Sequence, residues 1–337
     1  MKIKEAEERI FIWGEQIPGN TGLDKTDVMH PDQSLSMQDI FTKYPGVWDK
    51  SCDELGDMTG NDTLVLRDEI LDGYANETYT DQPFLIPYLV QGSDKCVIVC
   101  PGGAYLFKSL ENEGEDIAAF LNEAGISCFV LWYRTYPYHA PYMFLDCQRA
   151  VRFVRYHAAE YGIDPAKIAT VGFSAGGNLC GVEALCFGNA KVEEEGYTPD
   201  EIDAVDGRPN AVAMCYPAVS LEDDKALACI AGVDVYNDKA KRCEFAARYD
   251  MRNHVKEGDA PMFLCNAMDD DVLPAMRLAE LAQACKENKV SCELHIFPNG
   301  GHGFGGCIER QNPFAKPDYS AVIQWKELFI NWLNRTL

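Results

Sequence analysis

From about residue 95 to the C-terminus, short apolar runs alternate with helical patterns, and this alternation leaves few folds open. The runs are residues 96–100, 128–133, 168–173, 211–216, 262–265 and 292–297, rich in Val, Ile, Phe and Cys. They are apolar throughout rather than at every second position, as strands buried on both faces require. Between them, Ile117, Phe120, Leu121 and Ala124 fall on one helix face ahead of Gly125. Val151, Val154, Ala158 and Tyr161 do the same ahead of Gly162, and Leu278, Leu281, Ala282 and Cys285 repeat the pattern. Strands alternating with helices predict an α/β fold with a mostly parallel central sheet and helices on both faces. No repeat or low-complexity linker divides the 337 residues, so one domain is expected. Residues 1–60 are rich in Asp, Gly, Pro and Met and weakly periodic. They predict an irregular N-terminal extension or small cap, with a short strand at 10–13. Residues 188–210 predict a surface excursion, and 218–258 a polar stretch with two short helices.

The chain carries 53 acidic and 30 basic residues, a net charge of −23. That balance repels nucleic acid and anionic membranes, so neither is an expected partner. The N-terminal residues lack the apolar core of a secretory signal, and no stretch approaches the roughly 20 apolar residues of a membrane helix. A cytoplasmic protein is expected. The 14 cysteines fit, since Cys96, Cys100, Cys128, Cys215, Cys265 and Cys292 lie inside apolar runs as small buried hydrophobes. There is no Cys-x-x-Cys pair to suggest zinc or dithiol chemistry.

Gly172-Phe173-Ser174-Ala175-Gly176 stands between a strand candidate at 167–171 and a helix candidate at 178–187. A serine hydroxyl is a poor nucleophile unless it is presented to a base and freed from neighbouring bulk. A sharp strand-to-helix turn pushes Ser174 out at the carboxyl edge of the sheet, and the flanking glycines keep that turn from clashing. The following helix aims N–H groups and its positive dipole end at the site. A plain glycine turn is the bland alternative, which the strand before and the helix after argue against.

Such a serine needs a base, and the base an orienting acid. Of His30, His139, His157, His254, His295 and His302, three precede Ser174. His254 follows no strand, and His295 lies within one. His302 directly follows the run 292–297, with Gly300, Gly301 and Gly303 free to bend the backbone around it. It is the candidate base, an ordinary loop histidine being the alternative. The run from 261 ends in Asp269-Asp270-Asp271. Spacing from the strand end favours Asp269 as the acid, with Asp270 and Asp271 capping the next helix or solvated. Pro101-Gly102-Gly103-Ala104-Tyr105 follows the run 96–100. A Gly-Gly turn there leaves the N–H groups of Gly103 and Ala104, with that of Ala175, to bind a tetrahedral intermediate's negative oxygen.

These motifs, in this order, resemble the α/β-hydrolase superfamily. The nearest likeness is to hormone-sensitive-lipase-like and prolyl-oligopeptidase-like esterases of the acetyl xylan esterase kind. It runs from about Phe84 to the C-terminus and includes Tyr133-Arg134, Asp146-x-x-x-Ala150-Val151-Arg152 and Gly162-Ile163-Asp164-Pro165. It ends with Asp269-Asp270-x-Val272-x-Pro274 and Gly301-His302-Gly303-Phe304, and a fainter likeness covers 11–19. The resemblance implies an α/β-hydrolase fold and an acid at the first Asp of the pair, Asp269. It also implies backbone oxyanion donors at Gly103 and Ala104. Ala104 stands where the family has a third glycine, and is expected to serve only at negative φ.

The chemistry that follows is ester hydrolysis through an acyl-enzyme on Ser174, with no metal or organic cofactor. The resemblance favours small acyl esters, such as acetyl groups on sugars or oligosaccharides. Trp132-Tyr133, Tyr136, Tyr138 and Tyr142 either line a sugar site or, as aromatics more often do, pack the core and its loops. Rival readings are an esterase or lipase for longer acyl chains, a serine peptidase on this fold, and a non-catalytic binding protein. The peptidase would ordinarily carry a propeller of about 40–50-residue repeats, which is absent here.

Overall fold

A computed structural model describes residues 8–20, 22, 80–136, 138–221, 227–308 and 318–337. Most of the extension expected over 1–60 lies outside the described residues. Among the described residues, eight strands form one sheet: β1 (Ile10–Phe11), β2 (Phe84–Tyr88), β3 (Cys96–Cys100), β4 (Ser127–Trp132), β5 (Ile168–Phe173), β6 (Ala211–Cys215), β7 (Met262–Ala267) and β8 (Cys292–Phe297). Their spatial order is β1-β2-β4-β3-β5-β6-β7-β8. β1 and β2 are antiparallel to their neighbours, and every pairing from β4 to β8 is parallel. The apolar runs are therefore strands, as read. The sequence reading gave no strand to Phe84–Tyr88, whose Pro87 argues against a sheet interior. The two-residue β1 covers only Phe84 and Leu85, so the N–H that Pro87 lacks costs no ladder bond on that side.

Helices cover both faces. Tyr142–Tyr156 (α2), Ala175–Val182 (α3) and Met276–Glu287 (α4) pack on one, and Asp116–Glu123 (α1) and Trp325–Thr336 (α5) on the other. Successive strand residues serve opposite faces: Ile98, Phe129 and Leu264 join the first core layer, and Val99, Val130 and Phe263 the second. Two local readings are revised. α3 begins directly after Ser174 rather than at Asn178. The obstacle to reading it was Gly176 and Gly177, poor helix formers that close packing requires. A Cβ on Gly176 would stand 2.0 Å from the Cys100 carbonyl oxygen, and one on Gly177 2.9 Å from Pro217. Among the described residues, the stretch 218–258 holds three α-helices rather than two, Leu227–Ala231, Val233–Asn237 and Lys239–Arg248, and a 3-10 turn at Met251–Asn253. Gly232 at φ +88° ends the first, and Asp238 caps the third by accepting from the N–H groups of Ala240 and Lys241.

A buried ion pair ties the entry segment to this frame. Arg134, after β4, and Asp146, on α2, are both fully buried. One Asp146 oxygen accepts from Arg134 Nη2 at 2.7 Å and Trp13 Nε1 at 2.9 Å. The other accepts from Arg134 Nε at 2.9 Å and the Arg134 N–H at 3.0 Å. The guanidinium also donates to the Pro18 carbonyl and lies between the rings of Tyr138 and Tyr142, each 5.2 Å away. Asp146→Ala leaves a buried cation unopposed and is expected to destabilise the protein by about 3–5 kcal/mol. The urea unfolding midpoint measures this, and an unchanged midpoint contradicts it.

Candidate active site

Because β3 to β8 are parallel, the chain leaves each of them at one edge of the sheet, and the sequence motifs meet there. β5 ends at Phe173, and α3 starts at Ala175. Ser174 alone makes the turn, at φ +51° and ψ −119°, a conformation costly for a residue with a Cβ. Its N–H donates to the Cys215 carbonyl on β6, and its carbonyl accepts from the Asn178 N–H, both at 3.0 Å. Gly172 is needed for contact rather than for φ: a Cβ there would stand 2.0 Å from the Gly176 carbonyl oxygen.

His302 Nε2 lies 2.9 Å from Ser174 Oγ, and His302 Nδ1 lies 2.9 Å from a carboxylate oxygen. That oxygen belongs to Asp270, and the expectation of Asp269 is corrected here. Asp270 is buried, and its second oxygen accepts from the N–H groups of Val272 and Leu273 at 2.9 and 2.8 Å. Asp269 instead accepts from the Gly301 N–H at 2.8 Å, bracing the loop that carries His302. The sheet explains the shift by one residue. Pairing with β8 outlasts β7, since the Met268 N–H donates to the Phe297 carbonyl at 2.7 Å. A tight turn then closes, with the Asp270 N–H donating to the Ala267 carbonyl at 3.2 Å. The second aspartate, not the first, comes round to the imidazole.

The turn after β3 packs directly on Ser174, because a Cβ on Gly102 would stand 2.9 Å from its Cβ. Gly103, Ala104 and Tyr105 have φ of +130°, +55° and +60°. The negative φ expected of Ala104 is thus not found, and the condition attached to it as a donor fails. The backbone winds through the left-handed region because the turn closes on the Gly103 carbonyl, which accepts from the N–H groups of Leu106 at 2.9 Å and Phe107 at 3.2 Å. Tyr105 holds that strain in place from the core, its hydroxyl donating to Asn178 Oδ1 at 2.6 Å. Gly103 and Ala175 remain as candidate donors. The N–H of Ala175, at the start of α3, has no carbonyl one turn back within the helix.

Other candidates resolve into packing. His295 sits on β8 with Nε2 2.9 Å from Glu293 and its ring 5.2 Å from that of Phe263. Trp132 stacks on Phe84, and Tyr133 is buried, its hydroxyl donating to the Pro101 carbonyl at 2.7 Å. Tyr138 and Tyr142 flank Arg134. The sulfurs of Cys100, Cys147 and Cys180 lie within 4.8 Å of one another behind the serine turn, buried among apolar side chains, as small core hydrophobes do. The sequence reading gave no role to Glu113, which is buried and accepts from the Gly102 N–H at 2.7 Å and the Tyr216 hydroxyl at 2.9 Å. It stands in the acidic run Glu111-Asn112-Glu113-Gly114-Glu115, where no neighbouring residue marks it as buried.

A parallel sheet flanked by helices, with Ser174 on a strand-to-helix turn and Asp270 and His302 after later strands, is an α/β hydrolase. The chain belongs to the BD-FAE family, whose model matches residues 84–285. The model of the dienelactone hydrolase family matches residues 248–337. Endo-1,4-beta-xylanase B of Butyrivibrio fibrisolvens is 30% identical over 231 residues, which are 66% of this chain and 34% of that protein. The acetylxylan esterase of Xylanibacter ruminicola is 28% identical over 218 residues, 63% of this chain and 42% of that protein. The chain thus spans less than half the length of these two relatives. Among solved structures, the acetyl ester-xyloside bifunctional hydrolase of Caldicellulosiruptor lactoaceticus is 32% identical, with a TM-score of 0.65 over 75% of this chain and 88% of that one.

Proposed function

We propose that this protein is a serine esterase that removes short acyl groups, acetyl above all, from carbohydrate esters through an acyl-enzyme on Ser174. The observation that carries this is the unbroken chain from Ser174 Oγ to His302 Nε2 and from His302 Nδ1 to Asp270, 2.9 Å at each step. His302 takes the serine proton as Oγ attacks the ester carbonyl. Asp270, held by two backbone N–H groups, fixes the imidazole tautomer and stabilises the imidazolium. The N–H groups of Gly103 and Ala175 receive the developing oxyanion. His302 then protonates the departing sugar hydroxyl, and afterwards activates the water that releases acetate. No step requires a metal or organic cofactor. The names of the xylan-active relatives support the choice of substrate.

No helix among the described residues is long and apolar enough to cross a membrane. A cytoplasmic setting, with an imported oligosaccharide as substrate, is part of this proposal; the cysteines on the strands, such as Cys215 and Cys265, are buried as small hydrophobes.

Hydrolysis of acetyl, butyryl and octanoyl nitrophenyl esters, beside acetylated xylo-oligosaccharides and a peptide amide, tests the substrate. The expected result is highest kcat/KM on acetyl esters, with acetate released from the oligosaccharide. Preference for octanoyl esters, cleavage of the amide alone, or no turnover at all would each contradict it.

A further inference from the structure

Three loops at the carboxyl edge of the sheet meet on one buried side chain. Glu113 lies in the turn Glu111–Glu115 ahead of α1 and is 3% exposed. One oxygen accepts from the Gly102 N–H, beside the serine turn, at 2.7 Å. The other accepts from the Tyr216 hydroxyl at 2.9 Å, just after β6. That hydroxyl in turn accepts from the Gly305 N–H at 2.9 Å, in the loop that carries His302. The Tyr216 ring stands edge-on to the His302 imidazole, with centroids 5.0 Å apart. Both oxygens of Glu113 therefore face groups that donate.

We propose that Glu113 is a positioning residue, whose carboxylate ties the oxyanion turn to the His302 loop through Gly102 and Tyr216 and holds the two in register around Ser174. The inference rests on the reading of Ser174, His302 and Asp270 as the catalytic group. Packing alone does not call for a carboxyl here, since an apolar side chain of like volume fills such a site without the cost of desolvation. A carboxylate supplies two things that an apolar residue does not. It fixes the Pro101–Gly102 peptide, one residue ahead of the Gly103 N–H. It also places a second negative charge near the imidazole, besides Asp270 on Nδ1.

Burial pushes the Glu113 carboxyl above its ordinary range, against the pull of the Gly102 and Tyr216 bonds and of His302. The other titratable groups that feel its charge are Tyr133, Tyr216 and Cys215, and burial pushes all three well up. His302 is the catalytic group that its charge reaches. A carboxylate beside it favours the imidazolium, so removing the charge lets the neutral base persist to lower pH.

The test is kinetics of E113Q and Y216F in the full chain on a nitrophenyl acetate, with S174A alongside. E113Q keeps the shape but loses the charge and an acceptor. It is expected to lower kcat by about 10–100-fold, the penalty of a small misplacement at a reacting centre. KM should hardly change, and the acidic limb of kcat/KM should move to lower pH. Y216F, which keeps the ring, is expected to lower kcat also, and remains informative if E113Q fails to fold. A wild-type kcat in either variant overturns the proposal. So does a loss of kcat in E113Q that follows the melting temperature, disappears on cooling and leaves the acidic limb in place. Activity in S174A would instead sink the catalytic reading itself, whereas a dead S174A with a wild-type E113Q removes only the role of Glu113.

Discussion

Ser174→Ala is expected to lower kcat on acetyl esters by about 10⁶-fold, the scale on which a serine nucleophile fails when its oxygen is removed. The fold should survive the change. Alanine keeps the Cβ of serine, so the strained φ of +51° is neither relieved nor worsened. The bond between the backbone N–H of residue 174 and the Cys215 carbonyl is kept as well. What disappears is the atom that His302 Nε2 faces at 2.9 Å. The candidate oxyanion donors remain, so a residual rate of about 10³–10⁴ over water is expected rather than zero. Steady-state assays with enough enzyme to see that residue measure the effect. A loss of less than about tenfold would mean that a different group attacks the ester.

The second large effect separates two adjacent aspartates. Asp270→Asn is expected to lower kcat by about 10⁴-fold, because an amide facing His302 Nδ1 selects the wrong imidazole tautomer and cannot stabilise the imidazolium. Asp269→Asn removes charge from a residue that accepts from the Gly301 N–H, and an asparagine oxygen still accepts there. Its effect should stay within about tenfold, the worth of one weakened hydrogen bond. Measured side by side, the pair distinguishes the acid from the brace. Equal losses, or a larger loss in Asp269→Asn, would contradict the assignment.

Much of this protein was legible before its structure. Continuous apolar runs separated by helical periodicity specify a parallel sheet, and six of the eight strands among the described residues follow from them. Ser174 and His302 were readable because each stands in a local frame, a Gly-x-Ser-x-Gly between strand and helix and a glycine-flanked histidine after a strand. The acid was not. Which aspartate turns inward depends on a ladder bond from Met268 to Phe297, and that bond belongs to the pairing of β7 with β8 rather than to the acidic run. Ala104 misled for the opposite reason. Its residue type argues for negative φ, while a turn closed at both ends and anchored by Tyr105 imposes +55°. The aromatic residues from Trp132 to Tyr142 left open a sugar site or, as aromatics more often do, packing, and Tyr138 and Tyr142 flank Arg134. Glu113 gave no signal at all, since only tertiary contacts distinguish a buried carboxylate from its solvated neighbours.

The most direct test of the account is reaction with a fluorophosphonate, followed by peptide mapping and by assay of acetate release from acetylated xylo-oligosaccharide. The account predicts one label per chain, on Ser174, with activity lost in proportion to labelling and no label on the Ser174→Ala variant. A label on another residue, or full acetate release from fully labelled protein, would contradict it.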